Sequence, residues 1–297
     1  MISMKPFKGT FLFIISILSF PVIYAQDTVL YQRDSVIEPG QAFDCTGSFF
    51  RRTEKPTDPS KILVVTKAQK TLKLSAFLSG ISSQKPGVIK SYSTINPPTL
   101  QDHGLIDLDS DGKKELVVMN NTGGAHCCDE FYFFKNTGPN KYQYVAKTFA
   151  GDLCVSDSNS FSYSFYQQLG YFFTCFACEY MDTSDTAPVQ VRGILLKYKK
   201  GKLVITPGDQ ELRSIINDNL GKLGEQPYQA ISSTELGQDN GLRKEIAMNL
   251  AVFYYSFGKN IIETQKLFTK YYKAPDAAKV WAEFKKQLLN IQKSNEF

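Results

Sequence analysis

Three acids stand at alternate positions in "DLDSDGKKEL", residues 107–116: Asp107, Asp109 and Asp111, followed by Gly112 and, four residues after the last Asp, by Glu115. Calcium is a hard cation that takes six to eight oxygens at roughly 2.3–2.6 Å, and carboxylates at positions one, three and five of a tight loop converge on one point. Gly112 permits the sharp backbone turn. The carbonyl of Lys113 would supply position seven and Glu115 position nine, directly or through water. Four acids in one turn repel each other unless a cation sits among them. The alternative is a polar turn whose acids only keep it solvated.

The loop is not an EF-hand. Position twelve, which there carries a bidentate Glu, is Val118, and the flank "LVVMN" is β-type and not helical. The pattern resembles the calcium loop of FG-GAP and VCBS-type repeats, in which the loop leads straight into a strand; Asp107, Asp109, Asp111, Gly112, Glu115 and Leu116 carry the resemblance. It implies a bound structural calcium ion and a propeller-like context, although the chain holds one such loop and its β pattern is short for a full propeller. The continuation "TGGAHCC" with an aromatic strand is similar to a group of secreted or periplasmic bacterial proteins, a resemblance that assigns no activity. Gly123 and Gly124 read as a turn or bulge.

Six cysteines, Cys45, Cys127, Cys128, Cys154, Cys175 and Cys178, lie in the β-patterned part. An even count in an exported chain argues for disulfides, and six cysteines allow fifteen pairings. A bond between the neighbours Cys127 and Cys128 needs a strained ring, so each is expected to take another partner, from Cys154 and the Cys175/Cys178 pair, with Cys45 tying down the N-terminal segment. "CFAC" could instead be a redox motif, but it lacks the βαβ context and helix N-terminus that lower a thiolate pKa. A zinc site of His126 with several thiolates is the other alternative.

The catalytic inventory is thin. The two histidines are His103 and His126, and there is no nucleophile elbow, zinc-protease helix or phosphate loop. His126, beside the proposed ion, is a weak candidate for a general base. Glu130, Asp152, Asp157 and Glu179 lie on or between strands, with no spacing that singles out a pair for glycoside hydrolysis.

The elements that must hold these residues fall into two halves. Residues 1–25, with Lys5 and Lys8 before an apolar run ending at Ala25, have the layout of a signal peptide. Its removal lowers the formal charge of +5 by two, too little to argue for nucleic acid. No later run is long enough for stable membrane insertion. Residues 26–207 carry short β-type runs, "KILVVT", "LKLSAF", "ELVVMN", "EFYFFK", "YQYVAKTF", "FSYSFYQ", "YFFTCFA", "QVRGILLKY" and "KLVITP", with turn residues between them. The 16 Tyr and 22 Phe suit half-buried strands. An antiparallel meander, propeller-like or sandwich-like, is expected with no helix interrupting it. Residues 208–297 predict about four amphipathic helices, with Pro275 at the first position of the last one. The whole is α+β, and the boundary falls at Pro207–Asp209.

The expected product is a secreted or periplasmic, non-enzymatic, β-rich module, ordered by calcium and disulfides, that binds a protein or glycan partner and no nucleic acid. The alternatives are a hydrolase with a calcium-stabilised site near His126 and an inhibitor or immunity-type protein.

Overall fold

The computed structural model describes residues 53–82, 101–121, 129–150, 153–157, 160–178, 180, 188, 190–226 and 239–297. Among these residues ten strands form two sheets. β1 (Leu63–Val65), β2 (Thr71–Lys73), β3 (Gln101–Ile106), β4 (Glu115–Asn121), β5 (Asp129–Gly138) and β6 (Lys141–Ala150) make a six-stranded sheet in the order β2-β1-β6-β5-β4-β3. β7 (Leu153–Asp157), β8 (Ser160–Ser164), β9 (Gly193–Lys199) and β10 (Lys202–Ile205) make a four-stranded sheet in the order β10-β9-β8-β7. The fold class is α+β.

β3 to β6 form an antiparallel meander, as the short turns require. The expectation of a wholly antiparallel body is corrected at one edge, where β1 pairs parallel to β6 with Leu63 opposite Lys141. The intervening segment contains α1 (Leu74–Ser82), which sequence reading took for a strand in "LKLSAF". Only Thr71–Lys73 of that run is extended. Leu74, Phe77, Leu78 and Ile81 then recur at helical spacing and close against the sheet.

Strands β4 and β5 read as unbroken apolar runs because both their faces are covered. Val117, Met119, Phe131 and Phe133 join one cluster, while Leu116, Val118, Tyr132 and Phe134 join the other. The second is closed by α1, whose Phe77 meets Tyr132 and Phe134 edge-on at 5.4 and 5.2 Å. The first contains the inner residues of the four-stranded sheet, among them Phe161, Tyr163 and Tyr198, and the apolar residues of the C-terminal helices.

Those helices are α3 (Gln210–Glu225), α4 (Leu242–Ser256), α5 (Ile261–Tyr271) and α6 (Ala277–Ser294); a short turn of helix, α2 (Tyr166–Leu169), follows β8. Asp209 starts α3 by accepting the Leu212 N–H at 2.8 Å, and Asn260 starts α5 by accepting those of Ile262 and Glu263 at 3.1 Å. Pro275 lies just before the N-cap Asp276 and not inside α6. The amphipathic expectation fails for α4, every residue of which is buried, Arg243, Lys244 and Glu245 included. Those charges are matched: Arg243 pairs with Asp239 at 2.7 Å and Asp276 at 3.0 Å, and Glu245 with Arg192 at 2.6 Å. Lys244 reaches the Phe176 carbonyl at 3.0 Å.

"YFFTCFA" is the second run misread as a strand. After α2 the chain turns with Phe173 at a φ of 54° and runs on through bends to Cys178. Cys175 and Cys178 are bonded to each other, with Cα atoms 5.0 Å apart. The expectation that this pair would serve Cys127 and Cys128 is thereby overturned: the turn brings the two thiols within disulfide reach of one another. Cys45, Cys127 and Cys128 lie outside the described residues, as does the side chain of Cys154. So do residues 1–25, expected to be a signal peptide, and Gly123, Gly124 and His126. Among the described residues, no helix is long and apolar enough to cross a membrane.

Candidate metal centre

The acidic loop connects β3 to β4 and is shaped by its own side chains. Asp107 accepts the backbone N–H of Asp111 at 3.1 Å on Oδ1 and that of Gly112 at 3.0 Å on Oδ2. Asp111 in turn accepts the N–H of Lys113 at 2.8 Å. Ser110 and Gly112 take left-handed conformations, with φ of 57° and 83°, which bends the loop back on itself. Only Gly112 adopts this without a steric cost. The ends are pinned as well: Asn136 donates to the Lys114 carbonyl at 3.2 Å, Lys114 pairs with Glu54, and the Glu54 N–H bonds to the Leu105 carbonyl at 2.8 Å.

One carboxylate oxygen from each of Asp107, Asp109 and Glu115 lies within 4.8 Å of the others. Oxygens sharing a calcium ion at roughly 2.3–2.6 Å can be at most about 5 Å apart, so the three fit a common cation. Asp111 is not in this group, and its Oδ1 is occupied by the Lys113 N–H. Lys113 is an exposed loop residue.

The electrostatics favour a cation over an empty cluster. Glu115, the first residue of β4, is 2% exposed. Burial first, opposed by the Leu108 N–H and reinforced by the charges of Asp109 and Asp111, pushes its carboxyl up to about 7. Its Oε2 accepts that N–H at 3.0 Å. Asp109 Oδ1 is buried with no hydrogen-bond partner, and an unsatisfied buried carboxylate oxygen is costly. From the second sheet, the Tyr198 hydroxyl is also buried and unpartnered. Burial, followed by the charges of Glu115, Asp109 and Asp111, raises it above the ordinary tyrosine range. All three carboxylates are hard oxygen donors, the set suited to calcium, magnesium or manganese and not to zinc or copper.

Sequence spacing therefore found Asp107, Asp109 and Glu115 but missed Tyr198, which is 83 residues beyond Glu115 and carries no local motif. Of the other polar candidates, Glu130 is committed to Lys147 at 3.0 Å and to the Tyr132 hydroxyl at 2.8 Å. His103 is half-buried in β3, and burial, then the charge of Lys55, holds its imidazole below the usual range. Asp152 and Glu179 lie outside the described residues, as does the side chain of Asp157. Comparison of the chain with protein-family models, curated proteins and solved structures returns no match.

Proposed function

We propose that this chain is an exported, calcium-ordered binding module in which the β3–β4 loop holds one structural calcium ion, as in the FG-GAP and VCBS-type loops it resembles. The observation that carries the reading is the convergence of Asp107, Asp109 and Glu115, with Glu115 fully inside the fold. A loop with this many carboxylates at its core gains its fixed shape from the ion, and the ion is the counter-charge that lets Glu115 remain ionised.

The proposed role is structural and not hydrolytic because the three ligands sit on and beside the turn between two strands, with Glu115 closed off from solvent and Asp107 and Asp109 partly buried. Among the described residues the other buried acids are paired, Asp239 with Arg243 and Glu245 with Arg192. The partner class is a protein or a glycan, bound on a surface that the ordered loop keeps in register. Thermal unfolding in calcium and in chelator tests the first half: the melting temperature rises with calcium in the wild type and not in Glu115→Gln. Capture of glycans and of envelope proteins with and without calcium tests the second. Retention that is the same in chelator as in calcium contradicts a calcium-dependent surface.

A further inference from the structure

We propose that the outer face of α5 binds a polysaccharide that carries carboxylates. The inference rests on the binding-module reading for its partner class, a glycan, and not on the ion. From Lys259 to Phe297 the sequence holds eight lysines against four acids, Glu263, Asp276, Glu283 and Glu296. By sequence alone those acids would offset half of the lysines. The fold leaves more of them unmatched, because three of the acids turn to cations of other elements. Glu263 takes Arg213 of α3 at 2.8 Å, Asp276 takes Arg243 of α4 at 3.0 Å, and Glu296 takes Lys67 at 2.6 Å. Glu283 alone of the four meets a lysine of this stretch, Lys286 at 3.2 Å.

Three of the unmatched lysines share one place. Lys266 and Lys270 stand one turn apart on α5 and Lys273 follows just past its end, so all three fall on one side. Ile262, Gln265, Lys266, Thr269, Lys270 and Lys273 are exposed and line one open depression. Thr264, Phe268 and Tyr272, on the other side, are buried. Lys270 lies 4.5 Å above the Tyr271 ring and Lys273 donates to the Thr269 carbonyl, contacts that leave both charges uncancelled. Among the described residues no carboxylate pairs with any of the three. At 1.5 Å per residue, Lys266 and Lys270 are about 6 Å apart along the axis and Lys273 about 4.5 Å further. These spacings are shorter than the Debye length of about 8 Å at physiological salt, so the three act as one positive field. A surface that needs only solubility mixes both signs, whereas a field of one sign draws in a ligand of the other.

The lining selects among polyanions. Gln265 and Thr269 set an amide and a hydroxyl among the ammoniums, donors and acceptors for the hydroxyls of a sugar. The cations of the lining are lysines, point charges that suit single carboxylates, and not the arginine forks that grip phosphate at two oxygens. A membrane surface requires an apolar face to enter it, and the large apolar side chains that α5 exposes are Ile261 at 36% and Ile262 at 65%. Single-stranded nucleic acid stacks on aromatic rings, and the lining has none.

Isothermal titration of the full chain with polygalacturonate, in chelator at about 0.15 M salt, tests the proposal, with dextran and phosphatidylglycerol vesicles as comparisons. Saturable binding of polygalacturonate is expected. It should weaken at least tenfold when Lys266→Gln, Lys270→Gln and Lys273→Gln are combined. It should weaken less than about twofold when Lys70→Gln, Lys73→Gln and Lys141→Gln remove as many exposed lysines from the six-stranded sheet and its turn. In the wild type, polygalacturonate is also expected to shield Lys266, Lys270 and Lys273 from acetylation, read from peptide masses, a result that needs no variant to fold. No binding, equal weakening in the two variants, no shielding, or dextran or vesicles bound as tightly as polygalacturonate overturns the proposal. Polygalacturonate binding by a chain that takes up no calcium supports this inference and removes only the calcium reading; calcium uptake without polygalacturonate binding does the reverse.

Discussion

The carboxylate of Glu115 accepts the backbone N–H of Leu108 at 3.0 Å, so the first residue of β4 is tied across the acidic loop to the second residue after β3. The bond fixes the orientation of a carboxylate that has one oxygen within 4.8 Å of those of Asp107 and Asp109. A side chain this deep is stable as an anion only with a positive partner.

Glu115→Gln separates charge from shape. The amide oxygen can still accept from Leu108, but the site loses a negative ligand. Calcium binding is expected to fall at least tenfold, while the calcium-free variant at neutral pH is as stable as the wild type or more so. A calcium-free variant destabilised by more than about 1 kcal/mol, the worth of an ordinary hydrogen bond, would contradict the claim that the buried charge is a cost to the calcium-free fold.

The same residue gives a pH dependence of known sign. Its carboxyl is raised from 4.5 to about 7 in the folded chain, so the folded state binds the proton more tightly than the unfolded one. Stability from this group is present below about pH 4.5 and is lost as pH rises through about 7. In chelator, wild type minus Glu115→Gln should therefore lose on the order of 3 kcal/mol across that interval. Urea unfolding at a series of pH values measures it. In calcium the trend reverses, because ionised Glu115 is then a ligand.

Asp239 supports the buried charges of α4. It is fully buried and accepts the Gly241 N–H at 2.9 Å, the Arg243 N–H at 3.2 Å and the Arg243 Nε–H at 2.7 Å. Asp239→Ala is expected to cost about 3–5 kcal/mol, read by denaturant unfolding. A loss below about 1 kcal/mol would be that of a surface pair and would contradict the burial of α4.

Gly224 tests how closely α3 meets the end of α5. Replacing a helical glycine by alanine normally stabilises by about 1 kcal/mol, but here the added methyl would fall on the Tyr271 carbonyl oxygen. Gly224→Ala is expected to lower the melting temperature, and an increase would mean the two helices stand further apart.

The acidic loop was legible because its ligands fall within nine consecutive residues, and the helix starts were legible because Asp209 and Asn260 bond to N–H groups two or three residues on. The misreadings have physical causes of two kinds. In "LKLSAF" the helical period of Leu74, Phe77, Leu78 and Ile81 was present but extended past the run under inspection, and in "YFFTCFA" aromatic content suggested a strand where Phe173 turns the chain. Other features depend on contacts distant in sequence. The charges of α4 look solvated until Asp239, Arg192 and Asp276 are brought against them, and nothing near residue 198 announces a hydroxyl beside the acidic loop. The parallel pairing of β1 with β6 likewise joins residues more than seventy positions apart, with no local signal for it.

Isothermal titration of the chelator-treated chain with calcium tests the central claim most directly. The account predicts one saturable site, with affinity between about micromolar and millimolar, lost when Asp107 and Asp109 are both replaced by Ala. No heat at millimolar calcium in the wild type, or an isotherm that the double replacement leaves unchanged, would contradict it.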